Sequence, residues 1–185
     1  MWGLKLEDGY EDFLKTLNRE VKPQISKEAL DGIRFENVLN EVLEGAPLPE
    51  DHEWYEPLKE LARSKWVKNA QSQVKLSKDI TINGINFRLF GVLDFLKAGV
   101  ITDTKFSKRY HRGKYLKSPQ HSMYFALVPE AYRFDYKISD GKYVYTESYF
   151  PEDTPSIETL IKEFVAYLKA YGLWDTYTQK WEVAW

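Results

Sequence analysis

GVLDFLKAGVITDTK, residues 91–105, decides how this chain is read. Two short apolar runs flank a glycine-containing turn, Lys97-Ala98-Gly99, which predicts a β-hairpin. With Ala98 and Gly99 as the loop, Lys97 faces Val100 and Asp94 faces Asp103; a three-residue loop shifts that pairing by one. Asp103 and Lys105 stand two apart, so a strand sends both side chains to one face. Carboxylates directly opposed across a ladder repel, by about 3 kcal/mol at about 5 Å and an effective dielectric of roughly 20. Such a pair needs counter-charge. Lys105 supplies one positive charge and a divalent cation would supply the rest. Oxygen donors in a chain without cysteine favour Mg²⁺ or Mn²⁺ over zinc. The alternative is a surface hairpin whose charges are simply solvated.

The 185 residues are 43% hydrophobic and 16% aromatic, with six Trp and 13 Tyr, which suits a globular chain and not a disordered one. Residues 1–185 read as one domain, with a core at 26–150 and a C-terminal helix and Trp-rich tail at 154–185. No apolar run approaches the ~20 residues of a membrane span, and the acidic start MWGLKLEDGYEDF lacks the apolar centre of a signal peptide. The absence of cysteine excludes disulfides and thiolate metal sites. These features predict a cytoplasmic protein with no membrane partner. The net charge of −2 and pI near 6.0 argue against a general positive coat but leave room for a local basic groove.

Outward from the hairpin, residues 71–82 alternate as a strand or strand pair, and Asn83-Gly84 is a hairpin turn signal. Strands follow at 86–94 and 100–106, so Asp94 and Asp103 fall on the third and fourth extended segments of a meander. A further hairpin, 131–138 and 142–150, closes at Asp140-Gly141. Helices are predicted at 7–19, ended by Pro23; at 27–44, N-capped by Ser26, with an apolar face of Leu30, Ile33, Phe35, Val38, Leu39, Val42 and Leu43; and at 54–69. Two more lie at 118–127, opened by Ser118-Pro119, and at 154–171, capped by Gly172. Trp174, Trp181 and Trp185 in the tail predict docking on the core or on another subunit. The fold class is α/β (α+β), a central mixed sheet of five to six strands flanked by helices.

Three features outside the hairpin bear on chemistry. Gly32 and Glu36, four apart on the helix at 27–44, share one face; an interior Gly costs roughly 1 kcal/mol against Ala and leaves room for a backbone or substrate to approach Glu36. Residues 104–129 contain no acid but hold Lys105, Lys108, Arg109, His111, Arg112, Lys114, Lys117 and His121, with Tyr110 and Tyr115 interleaved. This reads as a loop that contacts phosphates and stacks on bases, or as a merely solubilising one. Gln120 and Tyr124, four apart, share a face of the following helix.

Asp94 followed by Asp103-Thr104-Lys105 resembles the D…(D/E)-x-K signature of the PD-(D/E)XK nucleases, and GVLD with ITDTKFSK resembles the RecB-like branch that includes phage exonucleases. Gly32/Glu36 is similar to a G-xx-[FLV]-[HE] element of that branch, with Glu where many members have His. Gln120/Tyr124 is similar to its Q-xxx-Y motif. Leu93 stands where the signature often has Pro. The similarity spans roughly residues 30–124.

The resemblance implies a restriction-endonuclease-like core and a Mg²⁺- or Mn²⁺-dependent deoxyribonuclease acting in DNA recombination, repair or replication, in the cytoplasm of a bacterium or a phage-infected host cell. An exonuclease is implied before an endonuclease of the same fold or a catalytically silent nucleic-acid-binding module. Glu36, Asp94, Asp103 and the Thr104 carbonyl would hold metal, and Lys105 would orient or deprotonate water or stabilise the transition state. Gln120 and Tyr124 would position the substrate backbone, or Gln120 would hold Lys105, while Lys108, Arg109, Arg112 and Lys114 grip phosphates. DNA is the implied partner, with a homo-oligomer or a recombination or replication protein as a further one.

Overall fold

The computed structural model describes residues 8–20 and 26–181. Two positive-φ turns set up its sheet. Asn83 and Gly84 have φ of 51° and 76°, and Ala98 and Gly99 have 48° and 74°. Left-handed backbone at both central residues twists a two-residue turn in the sense that paired strands require. The first turn joins β1 (Gln71–Ile82) to β2 (Ile85–Lys97), and the second joins β2 to β3 (Val100–Phe106). A Cβ on Gly99 would lie 2.9 Å from the Tyr132 ring, and its carbonyl accepts the Tyr132 amide at 2.9 Å. The turn therefore also seats the segment that enters β4 (Arg133–Ser139).

The second hairpin has the two-residue register, with Lys97 opposite Val100, Leu96 opposite Ile101 and Phe95 opposite Thr102. Pairing then stops, so Asp94 and Asp103 are not ladder partners. On the β1 side pairing skips the same residue: Ser72 pairs with Phe95 and Val74 with Leu93, and Gln73 between them has φ of 51°. Asp94 is thus unpaired in both ladders. Leu93 and Phe95, which would share a face in a regular strand, pack into different cores.

Five strands lie in sequence order, β5 being Val144–Tyr149. The expected meander does not hold throughout, because β3 and β4 are parallel, with Thr104 beside Lys137. A parallel neighbour needs a crossover, supplied by the loop at 107–119 and α4 (Gln120–Leu127). Residues 71–82 form one strand, so Asp94 and Asp103 lie on the second and third strands. The result is an α+β fold with an open mixed sheet.

Helices cover both faces. On one, α4 and α5 (Ile157–Ala170) face Leu93, Ile101, Phe134, Tyr136 and Ile138. On the other, Phe35 and Leu39 of α2 (Lys27–Leu43) join Leu58 and Leu61 of α3 (Tyr55–Arg63) over Phe95. The Ser26 cap is present, its hydroxyl accepting the Ala29 amide at 3.1 Å. The expected apolar face of α2 is narrower than the spacing suggested: Leu30 and Ile33 are 52% and 48% exposed. α3 stops at Arg63 and does not run to residue 69, because Ser64 leaves the helical region and its carbonyl and hydroxyl gather the amides of Trp66, Val67 and Lys68. α5 begins after Pro155, at the Ser156 cap. The tail forms α6 (Trp174–Lys180). Trp181 Nε1 donates to the Leu17 carbonyl of α1 (Asp8–Asn18) at 2.9 Å, so this part docks on the chain's own core. Pro23 and Trp185 lie outside the described residues.

Gly91 fixes how closely α4 approaches β2. A Cβ there would stand 2.7 Å from Tyr124 and 2.9 Å from Leu127. Gly91→Ala should therefore lower stability by about 1–3 kcal/mol, read as a lower urea midpoint at unchanged slope. An unchanged midpoint would mean that α4 yields freely at this contact.

Candidate active site

Strand alternation sends Ile101, Asp103 and Lys105 of β3 toward α4, while Thr104 and Phe106 turn toward α2 and α3. β3 is central and covered on both faces, so Asp103 is only 2% exposed. Lys105 reaches back along its own strand to place Nζ 2.7 Å from Asp103 Oδ2. Gln120 Nε2, at the start of α4, donates to Asp103 Oδ1 at 2.6 Å. Its Oε1 accepts from the Tyr136 hydroxyl at 3.3 Å, which orients the amide. Tyr124, one turn along, donates its hydroxyl to the Val92 carbonyl at 2.7 Å and is 6% exposed. Tyr124 thus clamps α4 to β2 at the residue preceding Leu93 and Asp94.

Asp94 reaches the same place from the gap between β2 and β3. Its Oδ2 accepts the Thr104 backbone amide at 2.8 Å and the Thr104 hydroxyl at 3.1 Å. Both bonds fall on one oxygen, leaving Oδ1 to coordinate a cation. Glu36 approaches from α2, with Oε1 accepting from Gln73 Nε2 at 3.2 Å. Nothing lies within 4 Å of a Cβ built on Gly32, one turn earlier, so the space beside Glu36 is open. The chain thus brings Glu36, Asp94, Asp103, Thr104, Lys105, Gln120 and Tyr124 to one region.

The electrostatics follow from burial and crowding. Burial, then the Asp94 charge, pushes Asp103 up to about 7 despite Lys105 and Gln120. Burial raises Asp94 as well, opposed chiefly by the Thr104 amide. Glu36 is raised by burial and then by Asp94. Burial works against the Lys105 ammonium, but the Asp103 carboxylate outweighs it and holds its pKa above the ordinary value. Three carboxylates and one ammonium leave two negative charges, the deficit a divalent cation would fill. Among the described residues no group of three Asp, Glu or His side chains forms a metal site on its own. Asp94 and Asp103 would need the Thr104 carbonyl, Glu36 or water to complete a shell, and Mg²⁺ ordinarily keeps several waters. The all-oxygen donor set fits that ion.

The basic stretch is a loop with defined anchors. Lys108 Nζ lies 2.7 Å from Asp31 Oδ2 of α2. Lys114 donates to Ser107. Arg109 and Arg112 are exposed and form no ion pair with a described carboxylate. Tyr115 stacks on Tyr136 with centroids 4.7 Å apart, and Tyr110 packs against Tyr145, also at 4.7 Å. Both rings therefore serve the loop's own packing. His111 is exposed, whereas His121 is buried against Tyr149, its ring pushed down to about 4 by burial.

Glu147 of β5 is the residue that sequence reasoning missed. Although 8% exposed, it accepts from Tyr110 OH at 2.8 Å, the Gly113 amide at 2.7 Å and Tyr149 OH at 2.6 Å. Burial would raise its pKa, but these donors, with the Tyr115 amide, hold it below the usual range. It is one acid in an alternating strand, with nothing local to mark it.

Two outcomes follow. Between its unfolded value of 3.8 and its folded value of about 7, Asp103 binds more proton in the folded state. Its contribution to metal-free stability therefore falls as pH rises through that window. Mg²⁺ should raise the melting temperature more at about pH 8 than at about pH 5, and Asp103→Asn should abolish the difference. An equal shift at both pH values would show that no cation is held by this acid. Glu147→Gln should speed hydrogen exchange at residues 108–117 and leave β3 protection unchanged; an unaltered loop would mean that Glu147 does not hold it.

No family model matches the chain, and no curated protein matches it. Among solved structures, one titled "Crystal structure of SSO0001" is 20% identical, with a TM-score of 0.49, over 88% of this chain and 68% of that one.

Proposed function

We propose that this protein is a Mg²⁺- or Mn²⁺-dependent deoxyribonuclease of the PD-(D/E)XK, RecB-like type, an exonuclease before an endonuclease. The observation that supports this most is the burial of Asp94 and Asp103 beside one ammonium, with two negative charges left over once Glu36 is counted. Raised carboxylate pKa values gathered around one ammonium are the pattern found more often at functional sites than at structural ion pairs.

Phosphodiester hydrolysis forms a P–O bond to water, breaks the P–O bond to the leaving oxygen, takes a proton from the first and returns one to the second. A bound divalent ion supplies a more acidic water and neutralises phosphate charge. Asp94 and Asp103 would hold that ion, with the Thr104 carbonyl and Glu36 available to its shell. Lys105, a third exposed and tied to Asp103 through one contact, has further N–H groups for a phosphate oxygen or the attacking water. Gln120 keeps Asp103 in place, and Tyr124 keeps α4 seated. Arg109 and Arg112, free of described ion pairs, contact the DNA backbone, with Lys108 and Lys114 joining when their own partners release them. A cytoplasmic place in DNA recombination, repair or replication belongs to the same proposal, as does assembly with a second copy or a partner protein.

The test is digestion of linear and covalently closed circular DNA, with Mg²⁺ or with EDTA. Loss of linear DNA alone, only with metal, is the outcome for an exonuclease; cutting of circles reassigns it as an endonuclease. Lys105→Ala and Asp103→Asn should each lower the rate by at least about 10²-fold at unchanged secondary structure. No cleavage of either DNA by the wild type would leave a silent binding module, and wild-type rates in either variant would move the active site elsewhere.

A further inference from the structure

Across the sheet from Asp103 and Lys105, a cleft of about 740 Å³ opens between α3 and the β4–β5 hairpin. Thr104 and Lys137 are neighbours in the parallel ladder, so Lys137 shares the α2–α3 face with Thr104, not the α4 face. The volume falls within the range of small-molecule sites. Four cations line the cleft: Lys59 and Arg63 from α3, Lys137 from β4 and Lys142 from the turn. None of the four forms an ion pair with a described carboxylate.

Lys137 is the most demanding of them. It is partly buried, and its Nζ donates to a neutral group, Thr146 Oγ1, at 2.8 Å. Burial depresses its pKa; Asp135 and, less strongly, Glu60 of the same cleft oppose this, and Arg133 reinforces it. Asp135 is itself taken, by Arg133 at 3.1 Å and Ser148 at 2.8 Å. An ammonium withdrawn from water without a directly paired carboxylate costs free energy that a bound anion would restore. Glu56 and Glu60 share the cleft, so its four positive charges exceed its negative ones by two. That surplus matches a phosphomonoester, which carries about −1.5 to −2 at neutral pH. A diester, with one charge, would match it less well. Ser64 also lines the cleft; its Oγ accepts the Trp66 amide at 3.4 Å, leaving the hydroxyl proton to donate.

We propose that this cleft is a second binding site, separate from the Asp94–Asp103–Lys105 centre, that takes a terminal or free phosphate group held by Lys137, Arg63, Lys59 and Lys142. The group is either free phosphate or the phosphate of a nucleotide. Tyr143, 64% exposed at the rim, is placed to cover an attached nucleoside. The site does not depend on the nuclease assignment.

Isothermal titration of the full chain, without divalent cation, tests it with inorganic phosphate, thymidine 5′-monophosphate and thymidine. Both phosphates should bind and thymidine should not. Equal affinities identify free phosphate as sufficient; tighter binding of the nucleotide, lost in Tyr143→Ala, identifies the nucleotide. Lys137→Met should weaken binding about tenfold or more, a change of about 1.4 kcal/mol, while Lys105→Ala leaves it unchanged. Should Lys137→Met fold poorly, the double variant Arg63→Gln/Lys142→Gln, at exposed positions, should show the same loss. Absence of binding by both phosphates, binding undiminished in the cleft variants, or loss in Lys105→Ala instead would each overturn the proposal.

Discussion

The backbone amide of Thr104 donates to the carboxylate of Asp94, at 2.8 Å, where a regular antiparallel ladder would offer a main-chain carbonyl. A buried amide must find an acceptor, and here a side chain from the neighbouring strand replaces the strand itself. β2 can therefore leave β3 after Phe95 without orphaning β3's polar backbone. The gap admits a second carboxylate, Asp103, beside the first. Two hydrogen bonds to Asp94, and one ammonium and one amide on Asp103, do not offset burial and, at Asp103, the Asp94 charge, so both acids remain above their ordinary pKa. The region is held together by the same groups that leave it short of positive charge.

The parallel step from β3 to β4 does the rest of the positioning. A crossover must return over the sheet, and the one used here lays α4 against β2 closely enough that Gly91 has no room for a side chain. That approach lets Gln120 reach Asp103 and Tyr124 reach the Val92 carbonyl. The loop before α4 contains the basic stretch, tied to α2 through Lys108 and Asp31 and to β5 through Glu147. The Lys108–Asp31 pair lies at the surface and contributes little. Glu147 is the stronger anchor, because it is buried and accepts from several groups at once. Arg109 and Arg112 are thereby presented on a fixed loop rather than a free one.

Local chemistry made much of this legible. Asn83-Gly84 and Ala98-Gly99 announce two-residue turns, and the structure has both, with the strand register that follows from them. Ser26 marks the start of α2, and a spacing of two puts Asp103 and Lys105 on one face. Gln120 and Tyr124, four apart on a helix, do meet the site, although Tyr124 spends its hydroxyl on β2. Local chemistry was a poor guide where two elements compete for one residue. Ser64 ends α3 inside an apolar pattern that suits a longer helix. Leu30 and Ile33 fit the period of α2 but lie beyond the arc that Phe35 and Leu39 bury.

The amino-acid order alone determined the turns, the start of α2 and the shared face of Asp103 and Lys105, because each depends on torsions and side-chain spacing within a few residues. Only the tertiary structure decided the break in pairing at Asp94, the parallel placement of β4, the burial of Glu147 beneath the basic loop and the gathering of cations around Lys137. Those depend on which distant groups compete for the same amide, carboxylate or volume, and that competition exists only once the layers are packed.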